Sequence, residues 1–504
     1  MRPVTALLSL LLVLLLAACG GGGGPAPTPE PPLMFDSLGR QLAEADFGRG
    51  DPQAAGADGI AFDGGALANA QVTLTDSAGA TRSATTDASG YYRVDIKGLT
   101  PPFLVKARRA DGTQWAASTA SAARTRAFVT INVSGLTQKL VDSNWSAARL
   151  REALAVPLAI AGLDPAGYDP VGTPLLPAAD DRHASLLRSL AFGVADGRTV
   201  VVATLAGRFG GFADGPATAA LFNLPGGVAL DAAGNIYVAD TGNHRIRKID
   251  RSGIVSTLAG NGSQSHSDGP GATARFNAPN SLAVDSTGTV YVADTGNNLI
   301  RKVSAAGVAS TWAGSGSAGF ADGTGTAAMF DAPFSVALDA GANLLVSDRG
   351  NDSVRRISPA GVVSTLAGSG PVTTKAQFLA QGFHEVRELA VDPSGAVVVN
   401  AECPWVDSFR FCLLAFAADG SFSKRATSPL FGANFVPYLG LALDAGSNVF
   451  AASAEDKIVR LTPAGVQTTL AASGFSRPGA VALDRNGNLV IADTGNSAIK
   501  LLLP

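Results

Sequence analysis

Apolar positions follow four patterns along the chain, and each predicts a different kind of element. Behind Arg2, the apolar stretch Ala6 to Ala17 is too short to span a bilayer and has the length of an export-signal core. Between about Gly56 and Val133 the apolar side chains alternate at period two: Val72 and Leu74, then Tyr92, Val94 and Ile96, then Phe103, Val105 and Ala107, then Val129, Ile131 and Val133. Turn signals at Asp76-Ser77-Ala78-Gly79 and Asp87-Ala88-Ser89-Gly90 separate these runs, so an antiparallel β-sandwich is expected over 56–134. From Leu136 to about Phe192 helix formers take over, notably in 146–155 and 181–190, which predicts a helical connector over 135–198. Beyond Thr199 come apolar strands without polar alternation, and such strands need cover on both faces.

That last region repeats. Aligned on one acidic position, it gives Asp231, Asp285, Asp339, Asp392, Asp444 and Asp484, spaced 54, 54, 53, 52 and 40 residues apart. A phenylalanine stands nine residues before each: Phe222, Phe276, Phe330, Phe383, Phe435 and Phe475. Periodicity of this size marks a propeller or a solenoid. Each unit reads as an apolar strand (227–230), a turn, a second apolar strand (236–239), the loop Asp240-Thr241-Gly242-Asn243, a basic strand (245–249) and a fourth strand ending at Gly260. The sixth unit reaches the C-terminus without a fourth strand, while Thr199 to Gly207 matches the fourth-strand pattern ahead of the first unit. The N-terminal segment is therefore expected to pair with the last strand and close a six-bladed ring, leaving no free sheet edge.

Composition narrows the function classes. Lys and Arg number 38 against 41 Asp and Glu, and 38 − 41 gives a net charge of −3, without the basic excess of a nucleic-acid binder. Charged residues are 16% and glycines number 59, which suits a turn-rich β structure. Three cysteines exclude a disulfide scaffold.

Three segments resemble known families. Leu16-Ala17-Ala18-Cys19 resembles the lipobox of bacterial lipoproteins. That resemblance implies a signal peptide over 1–18, lipid on the Cys19 thiol and its new N-terminus, and, with Gly20 next, placement in the outer membrane. Residues 19–55 are then a Gly/Pro-rich tether and linker. The runs Ala68 to Leu74 and Thr85 to Tyr92 resemble the carboxypeptidase regulatory-like domain, a spacer or adhesion sandwich without chemistry of its own. From Thr199 to Pro504 the recurring Tyr/Val-Ala-Asp-Thr-Gly-Asn with a following Arg or Lys resembles NHL repeats. The expected fold is all-β: a six-bladed propeller over 199–504 preceded by a small sandwich and a short helical connector.

In a four-stranded meander the loop after the second strand and the connection after the fourth lie on one face, here the face with long Gly-rich loops and the expected binding surface. Its candidates are Asp240, Asn243, His244, His266, Asp294, Asn297, Asp348, Arg349, Asn351, His384, Trp405, Asp493 and Asn496. Asp and Asn of such loops also brace the turn, so a structural role competes with a binding one. The repeat departs from itself in units four and five, where Asn400-Ala401-Glu402-Cys403 and Ser453-Ala454-Glu455-Asp456 replace it. Cys403 and Cys412 flank a loop carrying Trp405 and are expected to form a disulfide in an oxidising envelope.

Six-bladed rings also host enzymes. Relatives of the amidating-lyase type hold zinc on histidines, but His244, His266 and His384 do not recur in register. Gluconolactonase-like rings need inward carboxylates on a divalent cation, for which Glu385, Glu388 and Glu402 are conceivable. No Ser-His-Asp order, phosphate loop or dinucleotide fingerprint appears. The sequence thus points to a non-enzymatic, lipid-anchored, monomeric envelope protein that docks a protein or glycan, without cofactor, metal or nucleic acid. A metal-dependent lyase or lactonase-like hydrolase is the alternative.

Overall fold

The computed structural model describes residues 56–62, 67–88, 90–95, 99, 104–108, 114–118, 128–130, 133–134, 147–161, 163, 168, 190–195, 198–371, 383–392, 394–404, 409–416, 422–427, 438–453, 455–471 and 474–504. Cys19, the tether, Trp405 and Phe435 lie outside them.

Two sheets form the first unit. Gly56–Phe62 lies between Tyr91–Asp95 and Phe128–Thr130, while Gln71–Thr75 lies between Thr81–Thr85 and Leu104–Arg108, with Gln114–Ser118 outside the latter. Ala61, Tyr92 and Val94 of one sheet share a core with Val72, Leu74, Val105 and Ala107 of the other, the alternate positions the period-two pattern selects. Among the described residues two short helices follow, α1 (Ala147–Ala153) and α2 (Ala155–Ile160). Leu150, Leu154, Val156 and Leu158 pack on Val201, Leu205, Val490 and Leu501 of the propeller. The connector is not helical to its end: Leu190–Ala195 is a strand antiparallel to Arg198–Ala206. Helix formers such as Leu and Ala yield there to an open sheet edge that accepts another strand.

Six four-stranded units complete the chain, their strands lettered A (innermost) to D. Strands A are Gly227–Leu230, Pro279–Val284, Pro333–Leu338, Leu389–Val391, Tyr438–Leu443 and Ala480–Leu483. They neighbour one another in that order, and the last touches the first. Strands B of five blades, such as Ile236–Asp240 and Leu489–Asp493, are buried at all five positions, as flanking blades require. Strand D of blade six comes from the start of the domain: Arg198–Ala206 pairs antiparallel with Ala498–Leu503, Val201 opposite Leu503 and Thr204 opposite Lys500. The ring is thereby sealed by both ends of the propeller.

The framing aspartates make the A–B turns. Asp231 Oδ1 accepts the N–H groups of Ala233 and Asn235, and Asp285, Asp339, Asp444 and Asp484 do the same two and four residues on. A short acceptor at that position replaces a backbone turn bond. The 40-residue spacing of the last unit has a structural cause: residues 472–479 link blades five and six, where residues 260–278 link blades one and two.

Candidate functional site at the seam of blades three and four

Most of the Asp-Thr-Gly-Asn loop serves the ring. In blade one, Asp240 is fully buried at the end of strand B and accepts from Asn223 N, Asn243 Nδ2 and Arg247 Nη1 at 2.8, 2.9 and 2.7 Å. Arg247, also fully buried, gives its remaining N–H groups to Asp214, Leu221 O and Ala213 O. Its guanidinium lies between the rings of Phe222 and Phe212, 5.0 and 4.8 Å from their centroids. This accounts for the phenylalanine nine residues before the framing aspartate in blades one to three. Arg301 with Asp294, Asp268 and Phe276, and Arg355 with Asp348, Asp322 and Phe330, repeat the arrangement. A buried arginine needs both carboxylates, because desolvated charge without partners costs several kcal/mol. Blade four replaces both members at once, with Ala401 and Leu414 in the core, as that cost requires.

The other loop residues bind blades together. Thr241 Oγ1 donates to Pro279 O, Thr295 Oγ1 to Pro333 O and Thr494 Oγ1 to Pro225 O, each at 2.7 Å. The glycine after each threonine has no alternative: a Cβ on Gly242 would sit 2.7 Å from Asn223. Three residues beyond the threonine, the left-handed residue His244 accepts Ala278 N on Nδ1 at 3.0 Å, and Asn298 accepts Ala332 N at 2.9 Å. Burial, followed by the Arg245 charge, lowers the His244 pKa, in keeping with a neutral ring that accepts there. Asn243, Asn297 and Asn351 each bridge their buried aspartate and a neighbouring carbonyl, while Asn496 binds Asp493. The candidates Asp240, Asp294, Asp348, Asp493 and their asparagines, with His244, thus have fold contacts that account for their identity. His266 is exposed at the position Phe212 and Phe320 hold in blades one and three.

Three blades depart from this scheme, and charge gathers at one seam. Arg349, Glu402 and Ala454 stand where the threonine latch stands in blades one, two and six. Arg349 reaches across the Phe334 ring, 5.3 Å from its centroid, towards Glu385 at 3.8 Å. Arg387 holds the same carboxylate at 2.6 Å. The second contact is kept, by the left-handed residue Asp352, whose Oδ1 accepts Glu385 N at 2.8 Å and also lies 2.8 Å from His384 Nδ1. His384 pairs with Glu402 through both backbone groups. Burial works to raise the Glu385 pKa, but the Arg387 hydrogen bond and the Arg387, Arg349 and His384 charges hold it below the usual carboxylate range. Burial raises the Glu402 pKa, with His384 opposing and Glu385 assisting.

Below this rim runs the axial channel, a cavity of about 310 Å³ lined by the six A strands. Glu388, 6% exposed, lines it and accepts from Ser335 Oγ at 2.9 Å. Burial pushes its carboxyl up to about 8, opposed only by that hydroxyl. The three carboxylates conceived for an enzymatic ring, Glu385, Glu388 and Glu402, therefore all belong to blade four's sector. Arg387 and Ser335 escaped sequence reasoning. The available signal was the internal alignment, in which Arg387 takes the place of Gly226, Asn280, Phe334 and Gly479.

The disulfide candidates fall within strands and not at the base of a long loop. Strand B of blade four runs to Pro404 and strand C starts at Phe409, pairing Cys403 with Arg410 and Ala401 with Cys412. The two cysteines are thus diagonal neighbours across one ladder.

Three segments, residues 222–249, 276–303 and 475–500, match the NHL repeat family model. A 91-residue stretch is 40% identical to the Arabidopsis thaliana protein SUPPRESSOR OF QUENCHING 1, covering 18% of this chain and 9% of that protein. The Gallus gallus NHL repeat-containing protein 2 is 29% identical over 345 residues, covering 55% of this chain and 46% of that one, so the match spans about half its length. Among solved structures, an auxiliary nutrient binding protein from Bacteroides thetaiotaomicron aligns over 86% of this chain and 90% of its own, at 10% identity and a TM-score of 0.45. The chain carries NHL repeats, and their strands build a six-bladed β-propeller.

Proposed function

We propose that this is a lipid-anchored cell-envelope binding protein that docks a protein or glycan partner on the long-loop face, at the rim between blades three and four. One observation carries the reading. At this seam the side chains of Arg349, Asp352, His384, Glu385, Arg387 and Glu402 converge, while the threonine latch used at three other seams is given up. Charged groups on a rigid rim suit recognition, where electrostatic complementarity selects partners. The Ala6 to Cys19 segment supports export and lipid anchoring, and several acyl chains anchor stably where one is marginal. Among the described residues no helix is long and apolar enough to cross a membrane. In this reading the sandwich and helices are a spacer, and a Cys403–Cys412 disulfide stiffens the hairpin beside the rim.

The test is chemical cross-linking of the full-length protein in envelope extract, with Arg349→Glu/Arg387→Glu compared against Arg251→Glu on the opposite face. The reading predicts adducts formed by the wild type and by Arg251→Glu, and lost in the rim variant. Identical adducts from all three would overturn it.

A further inference from the structure

The six residues four places before the framing aspartates are Gly227, Ser281, Ser335, Glu388, Gly440 and Ala480. Five are small and uncharged; one is a carboxylic acid facing the axial channel. A buried carboxyl in a ring position otherwise filled by small residues is costly, and the repeat offers a cheaper solution in every other blade.

Its hydrogen bonding is one-sided. Ser335 Oγ accepts Leu389 N at 3.3 Å and donates its single proton to Glu388 Oε2 at 2.9 Å. Oε1 is left for the channel, and among the described residues no cation pairs with Glu388: burial and Ser335 are the only influences on its titration, whether from blade three, its own blade or blade five. The walls around it are apolar, with Val228, Leu282, Val336, Ala390 and Val481. At about 310 Å³ the channel is at the small end of ligand sites. Above it, the rim sets the carboxylates of Asp352, Glu385 and Glu402 against the basic groups of Arg349, Arg387 and His384, so the choice of ligand rests with the channel itself.

We infer that the axial channel is a binding site for a small amphipathic amine, whose ammonium group pairs with Glu388 Oε1 while its short apolar body lies against the strand A side chains. An ammonium ion supplies the missing countercharge, and a compact hydrocarbon body matches the walls. Binding converts the neutral acid to a carboxylate, so the Oε1 proton leaves to solvent as the ammonium arrives. This site is independent of the partner proposed for the rim.

Isothermal titration of the full-length protein with benzylammonium, and with benzyl alcohol as its neutral analogue, tests the inference. Buffers of different ionisation enthalpy count the protons released. The wild type should bind benzylammonium with release of close to one proton below pH 8, and with affinity rising up to tenfold per pH unit until that pH. Glu388→Gln, which preserves shape and the Ser335 contact, should have a thermal midpoint no lower than the wild type's, lose at least tenfold in affinity and release no proton. Equal binding by Glu388→Gln, binding without proton release, or no heat with the wild type would overturn the inference. So would calcium chloride alone giving the same proton release and displacing the probe, since the site would then be one for a metal. Glu388→Gln should still form the cross-linked adducts of the rim, so failure here and failure of the docking reading are separable.

Discussion

The hydroxyl of Thr494 donates to the carbonyl of Pro225, 269 residues earlier in the chain, at 2.7 Å. The same bond joins Thr241 to Pro279 and Thr295 to Pro333, so the seam between the last and first blades is built like those between consecutive ones. Thr494→Val should therefore cost about 1 kcal/mol, as should Thr241→Val and Thr295→Val. Denaturant unfolding of the three variants measures this. A neutral Thr494→Val beside two destabilised siblings would mean an open seam.

The buried ion pairs make a sharper demand. Arg301→Leu alone leaves Asp294 desolvated and unpaired and should destabilise by roughly 3 to 5 kcal/mol. Asp294→Ala/Arg301→Leu copies the Ala401 and Leu414 pair of blade four and should recover a large part of that loss, because Asp268, half exposed, is hydrated without its arginine. A double variant less stable than the single one would show that the pair stabilises beyond the cost of burying it.

Glu388 predicts the pH dependence of stability. Its folded pKa, about 8, exceeds the ordinary value of 4.5, so between these values the folded state holds a proton that the unfolded chain has lost. The contribution is fully present below about pH 4.5 and is lost as pH rises through about 8. Glu388→Gln should remove that decline, with its advantage over the wild type widening from pH 5 to pH 8 and level above. Parallel pH profiles for the two proteins would refute this assignment.

Cys403 and Cys412, diagonal across their ladder, should be oxidised in protein purified from the envelope. Alkylation before reduction should label neither, and alkylation after reduction both. Two labelled thiols before reduction would remove the disulfide from the account.

Much of this architecture was legible in the sequence because its physics repeats. The aspartate frame marks Asx turns, the phenylalanines of blades one to three mark partners for buried arginines, and the uninterrupted apolar strands mark double-sided burial. Pairing of Thr199 to Gly207 with the final strand followed from counting fourth strands, and Arg198–Ala206 makes that pairing. What stayed hidden depends on neighbours distant in sequence. Nothing local says that His244 accepts a hydrogen bond from Ala278, or that Leu190–Ala195 adds to a sheet edge. Nor does the sequence say that Glu388 faces an axial channel beside Ser335, since neither residue stands in a motif.

The central claim is that the seam between blades three and four exchanges ring stability for recognition. Arg349→Thr/Glu402→Thr restores the residue that latches blades one, two and six, Arg349→Thr at this seam and Glu402→Thr at the next, and its unfolding free energy and envelope cross-linking can be measured on one preparation. The account predicts a variant at least as stable as the wild type that has lost its adducts. A less stable variant with its adducts intact would show that Arg349 and Glu402 serve the fold, and would contradict the account.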